Sequence, residues 1–190
     1  GSAITNFYNL TIDNPAGVTL NNPENIEGTL SLKNGTLNTN TQPLTLVSNS
    51  VSTGRIAEIT GSGDINGDIT VQRFVAGGAT GWVFLGTPIA SPLTLNDWDD
   101  DIFISCPTCP DGSAAGFLSL YSYDETQPGL YDDAAAYVAL GSVNDPILPG
   151  RGYWVYLGSD FGTTDDLIID MTGSVRKFNY TIPLDFTNYG

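Results

Sequence analysis

Residues 7–47 alternate apolar and polar side chains in short runs, "FYNLTID", "GVTLNN", "GTLSLKN", "GTLNTN" and "PLTLVS", broken by Asn, Gly or Pro. A period of two is that of a half-buried strand, so these runs predict strands and not helices. Leucine recurs in x-L-x-L or V-T-L units spaced irregularly, about ten residues apart. That recurrence predicts rungs of a short parallel β-solenoid burying Leu20, Leu30, Leu32, Leu37, Leu44 and Leu46 in one core. An antiparallel meander of hairpins fits the same pattern. Past Ser48 the pattern becomes "GRIAEITGSGDINGDITVQRFV", two alternating runs around Asn66-Gly67, a dipeptide suited to a type I′ hairpin. The runs "GWVFLGTPI", "FLSLYSYDE", "AAYVALG", "GRGYWVYLG", "DLIIDMTG" and "KFNYTIPLDF" follow, at the spacing of a β-sandwich or jelly roll. Helix is limited to one turn in "LTLNDWDDDIF", capped by Asn96 or Asp97, and to "YDDAAAYVA", which fits a strand equally well. The expected fold class is all-β: a solenoid-like segment over residues 1–50, then a sandwich-like domain over residues 51–190. No closing element follows "TIPLDFTNYG", so the second domain is expected to be truncated at its C-terminus.

Charge narrows the partners. The chain holds 6 Lys and Arg against 21 Asp and Glu, a net charge of −15. A nucleic-acid backbone or an anionic membrane surface requires basic patches, so neither is an expected partner. The imbalance is concentrated in residues 96–190, where 15 acids face 3 bases. Only 14% of residues are charged, against about 25% in ordinary domains, and Thr, Asn, Ser and Gly supply the polar surface. That composition is common among secreted β proteins. Histidine is absent, which removes Ser-His-Asp and Cys-His catalysis and every His-based zinc or iron site. No stretch of about 18 apolar residues is present, so no membrane insertion is expected. Glycosidase chemistry needs two matched carboxylates at a defined separation, and nothing distinguishes a pair among Glu24, Glu27, Glu58, Glu125 and the many Asp. No residue is assigned a catalytic role, and the chain is read as a non-enzyme.

Three groups of residues could carry binding chemistry. Asp97, Asp99, Asp100 and Asp101 crowd around Trp98, and Asp97, Asp99 and Asp101 have the 1,3,5 spacing of a calcium loop. Counting from Asp97, however, position 6 is Ile102 and position 12 is Thr108, so the EF-hand glycine and bidentate glutamate are missing. A calcium site completed by other loops and a solvated acidic turn both remain open. Asp64, Asn66 and Asp68 repeat the spacing, but turn chemistry accounts for them. Aromatic residues gather in the second half, and flat rings beside carboxylates suit a glycan, with Trp98, Tyr131 and Trp154 as candidates; core packing is the competing account. In "YWVY" the period of two puts Tyr153 and Val155 on one face and Trp154 and Tyr156 on the other. Cys106 and Cys109, in C-P-T-C, have no helical setting of the thioredoxin type and predict a short disulfide, hence an oxidising compartment.

The segments "GWVFLGTPIASPLTLNDW" (residues 81–98) and "LPGRGYWVYLG" (residues 148–158) resemble a recurrent region of large multidomain surface proteins of Bacteroidota. In that family a G-W-x-x-L-G-x-P segment leads into an acidic Trp turn, and a G-x-G-Y-W-V-Y-like strand follows. "NLTIDNPAGVTL", "LSLKNGTLNTN" and "GRIAEITGSGDINGDITVQRFV" resemble its upstream repeats and strand pair. The resemblance implies an extracellular or cell-surface location, export by type IX secretion and an adhesin-like role beside neighbouring domains of one polypeptide. The C-terminal signal domain and the second G-W-N-x-x-G-N-P copy of that family are not found in this chain, so an excerpt of a longer protein is expected. The expected function is a non-catalytic adhesin segment or structural spacer; the alternative is a carbohydrate-binding module, calcium-dependent if the acidic turn holds an ion. Expected partners are a polysaccharide or a surface protein.

Overall fold

Alternation becomes strand in both halves of the chain, and the chain is all-β. In a computed structural model, residues 3–78, 81–110, 117–127, 134–158, 165–177 and 181–182 are described. The first strands in chain order are β1 (Thr5–Asp13), β2 (Val18–Thr19), β3 (Glu24–Asn34), β4 (Thr36–Asn38), β5 (Leu44–Leu46), β6 (Arg55–Ile56), β7 (Asp64–Asn66) and β8 (Ile69–Val75). After them come β9 (Gly81–Leu85), β10 (Leu93–Thr94), β11 (Leu120–Tyr123), β12 (Tyr137–Ala139), β13 (Pro146–Ile147), β14 (Tyr153–Leu157) and β15 (Leu167–Gly173). Among the described residues helix is limited to α1 (Asn96–Asp99) and one 3₁₀ turn, Ala134–Ala136, and no helix is long and apolar enough to cross a membrane.

Two compact units form. The first comprises Gly1–Ala76, Pro88–Ser91 and Asp166–Phe178, the second Gly77–Thr87, Pro92–Asp165 and Asn179–Gly190. In the first unit β1, β3, β5 and β8 lie side by side in parallel, β6 also pairs with β3, and β15 joins β8 antiparallel. A second parallel sheet contains β2, β4 and β7. The chain therefore alternates between the two sheets, with β5 and β6 both joining the first before β7 returns to the second. This explains why leucines recur about every ten residues while paired positions such as Leu10 and Leu30, or Val18 and Leu37, lie about twenty apart. Hairpins are antiparallel, so parallel pairing rules out the meander for this segment. Leu20, Leu30, Leu32, Leu37, Leu44 and Leu46 are all buried, together with Ile12, Ile26, Ile65 and Ile69. Each such side chain contributes about 1.5–3 kcal/mol relative to exposure.

Polar positions hold the register. The Asn34 side chain donates to the Asp13 carboxylate (2.7 Å), Asn25 donates to Asn6 (2.9 Å), and the Thr29 N–H donates to the Asn9 side chain (2.8 Å). Between Phe7 and Asn9 the pairing of β1 with β3 slips, with Glu27 and Gly28 opposite Tyr8 alone, which makes a bulge. A β-carbon on Gly28 would collide with the Tyr8 carbonyl oxygen, so only glycine fits there.

Asn66-Gly67 does not close a hairpin. Strand β7 pairs with β4, whereas β8 pairs with β5 and β15, so the flanking strands belong to different sheets. Gly67, at φ +101°, turns the chain from one sheet to the other, and a β-carbon there would meet the Thr39 hydroxyl. The change of pattern at Ser48 is likewise not a break in packing, because β8 extends the parallel sheet begun by β1 and β3.

The second unit holds an antiparallel sheet in the order β12-β11-β14-β9 and a two-stranded pair, β10 with β13. Its core contains Leu93, Leu95, Trp98, Ile102, Ile104, Leu120, Ile147, Tyr153, Val155 and Leu157. Cys106 and Cys109 form a disulfide within a turn closed by the Cys109 N–H on the Cys106 carbonyl (3.1 Å), with both residues buried.

Candidate functional site

Register decides which side chains share a face of the second unit's sheet. Antiparallel partners point to the same side, and Tyr123 lies opposite Tyr137, Tyr121 opposite Ala139 and Trp154, Trp154 opposite Phe84, and Tyr156 opposite Trp82. One face thus collects Trp82, Phe84, Tyr121, Tyr123, Tyr137, Trp154 and Tyr156, with Ala139 at the remaining position. The other face carries Tyr153, Val155 and Leu157, all buried, as the alternation of "YWVYL" requires.

The aromatic face is open to solvent at its margins and packed at its centre. Phe84 is 75% exposed, Tyr123 45% and Trp82 38%, whereas Tyr121, Tyr137, Trp154 and Tyr156 are half-buried. Trp154 is the hub: its ring centroid lies 4.5 Å from that of Trp82, 5.2 Å from Tyr137 and 6.5 Å from Tyr121. Trp82 also meets Tyr121 at 5.7 Å and Tyr156 at 5.5 Å, and Phe117 packs edge-on against Tyr156. Trp82 and Trp154 are tilted by 37°, not coplanar. Such tilted and edge-on contacts hold Trp82, Tyr121, Tyr137, Trp154 and Tyr156 through their neighbours, so that part of the surface is prearranged.

At the rim, after Tyr123, Asp124 accepts hydrogen bonds from the Thr126 hydroxyl (2.7 Å), the Gln127 amide (2.9 Å) and the Thr126 N–H (3.0 Å). These donors, the Thr126 hydroxyl foremost, hold its carboxyl below the ordinary carboxylate range.

The acidic turn forms the single helical turn expected of it, but with a different cap. Leu95, not Asn96 or Asp97, occupies the N-cap position of α1 and makes no side-chain cap. Asp97 reaches back instead, its carboxylate accepting from the Thr94 N–H (2.7 Å) and hydroxyl (3.2 Å). Helical geometry turns about 100° per residue, so Asp97 and Asp99 diverge by roughly 200°, where an extended calcium loop would make them converge. Among the described residues no three His, Cys, Asp or Glu side chains gather as an ion site. Asp64, singled out by the same spacing, is paired with Lys177 at 2.8 Å.

Trp98 is displaced from the candidate glycan platform. Its ring is fully buried, edge-on to Tyr153 at 5.7 Å, and its indole N–H meets no acceptor among the described residues, so it offers no face to a ligand. The acidic turn anchors this ring in the core. Tyr153 is fixed in turn, its hydroxyl oxygen accepting from the Leu148 N–H at 2.7 Å. Tyr131, with Asp132 and Asp133, lies outside the described residues. Of the candidate ligand residues, Trp154 is the one placed on the aromatic face. Trp82 and Phe84, the most accessible Trp and Phe of the sheet, were missed from sequence, although alternation in "GWVFL" puts them on one side. No family model, no curated protein and no solved structure matches the chain.

Proposed function

We propose that the chain is a non-catalytic binding module of a secreted surface protein, and that the aromatic face formed by β9, β11, β12 and β14 takes a polysaccharide. One observation carries this reading: seven of the eight register positions on an accessible sheet face are aromatic. A soluble protein ordinarily spreads its exposed apolar residues, and a contiguous patch marks a contact surface. Trp and Tyr rings suit sugars because their faces take C–H groups while phenol hydroxyls exchange hydrogen bonds with sugar hydroxyls. The setting rests on the resemblance of residues 81–98 and 148–158 to Bacteroidota surface proteins exported by type IX secretion, and the Cys106–Cys109 disulfide suits an oxidising location.

A second reading, an adhesin segment or spacer that displays neighbouring domains, is favoured by the parallel stacking of the first unit. Depletion of the purified chain onto insoluble polysaccharides separates the two. Retention, unchanged in EDTA and weakened in Trp82→Ala, is expected of the aromatic face; folded protein that is retained by none supports the spacer. Loss of retention in EDTA would return calcium to the account despite the divergent Asp97–Asp101 turn.

A further inference from the structure

Resting on that polysaccharide reading, we infer that the ligand is an uncharged polysaccharide lying along the aromatic face by several consecutive sugars of its chain. Charge carries the first half. No Asp, Glu, Lys or Arg stands among the eight side chains on the face, which are two Trp, one Phe, four Tyr and one Ala. By sequence the second unit contains thirteen Asp and Glu against the single guanidinium of Arg151. A uronate or sulfated polymer would bring its own negative charges into that field and find one cation to meet them, whereas a neutral chain incurs no such repulsion. Water also favours the neutral chain, because anionic groups laid against aromatic rings lose hydration without gaining a partner.

Extent carries the second half. The face crosses four strands, which at about 4.8 Å per strand spans roughly 14 Å, wider than one sugar ring. Its rings form a connected path from Tyr137 through Trp154 to Trp82. Phe84, Tyr123 and Trp82 are the accessible rings. Single sugars reach one ring each, while a chain engages several at once and gains the effective concentration of linked contacts. The Tyr121, Tyr123, Tyr137 and Tyr156 phenols supply donors and acceptors for hydroxyls without adding charge.

Affinity electrophoresis tests both halves. The intact chain is run through native gels containing a neutral mixed-linkage β-glucan or galactomannan, and through gels containing polygalacturonate or alginate. Retardation by a neutral polymer alone is expected, with affinity reduced roughly tenfold in Trp82→Ala, one ring's stacking contact. Phe84→Ser, at a side chain too exposed to affect folding, is expected to weaken retardation as well. The matching hexasaccharide should compete and the monosaccharide should not. Binding of the anionic polymers as tight as or tighter than the neutral ones, and sensitive to the same substitutions, would overturn the charge inference while leaving the aromatic site. Equal competition by the monosaccharide would overturn the extended mode. Circular dichroism identifies variants that fail to fold, and a folded, unretarded wild-type chain in every gel overturns the polysaccharide reading together with this inference.

Discussion

At the scale of single residues, Trp98 is the most informative side chain. It sits in the middle of an acidic stretch yet is fully buried, its indole N–H without an acceptor among the described residues. A buried donor without a partner costs stability, so removing only the N–H should be cheap and removing the ring expensive. Trp98→Ala should lose about 3–5 kcal/mol, whereas Trp98→Phe, which keeps an aromatic body against Tyr153, should lose about 1–2 kcal/mol. Urea unfolding of both variants checks the ordering; a Phe variant as damaged as the Ala variant would mean that the indole N–H has an acceptor. Sequence alone placed an aromatic anchor within a carboxylate turn. It could not say which way the ring points, because a four-residue helix has no periodicity long enough to reveal its buried side.

Between elements, the informative contact ties β7 to the segment after β15. Lys177 bonds the Asp64 carboxylate at 2.8 Å and donates to the Ile65 carbonyl at 2.6 Å. The hydrogen bond from Lys177 leads the causes that lower the Asp64 pKa, ahead of the Ile65 backbone N–H and the Lys177 charge, against opposition from burial. A carboxyl whose folded pKa is lowered adds stability above its unfolded value, about 3.9, and loses it as pH falls through the folded value. Lys177→Met should therefore be less stable than the parent at about pH 5, with the gap shrinking toward about pH 2; any constant remainder belongs to the Ile65 hydrogen bond. A gap independent of pH, measured by thermal unfolding, would refute the pairing. Both side chains are partly exposed, so the contribution is small. No periodicity links Asp64 with Lys177, more than a hundred residues apart, so this tie was invisible before β15 was placed beside β8.

Charge acts on the molecule as a whole. With a net charge of −15 the folded chain repels itself, and repulsion between separated surface carboxylates is what salt screens. Raising ionic strength from about 0.01 M to about 1 M shortens the Debye length from roughly 30 Å to roughly 3 Å. The melting temperature should rise by a few degrees over that range, as scanning calorimetry in sodium chloride would register. A fall would mean that local pairs such as Asp64–Lys177 outweigh the long-range repulsion. Polysaccharide binding by a face without Asp, Glu, Lys or Arg should change little over the same range, which separates the behaviour of the site from that of the fold.

The sequence by itself determined the all-β class, the buried leucines of the first strands, the two-sided character of "YWVYL" and the poverty of basic residues, because each follows from local alternation or from composition. Tertiary structure alone decided the rest. Parallel pairing came from which strands lie side by side, a choice that the alternation of "GTLSLKN" leaves open. Asn66-Gly67 became a corner between sheets instead of a hairpin, since its local geometry suits either and the partners of β7 and β8 choose. Trp98 went inward and Trp82 and Phe84 outward, although Trp98 has the more acidic neighbours, because burial depends on the sheet or core that a ring meets and not on adjacent residues. The aromatic face needed the register of four strands at once. Alternation says which residues of one strand share a side; only pairing says which sides of different strands form one surface.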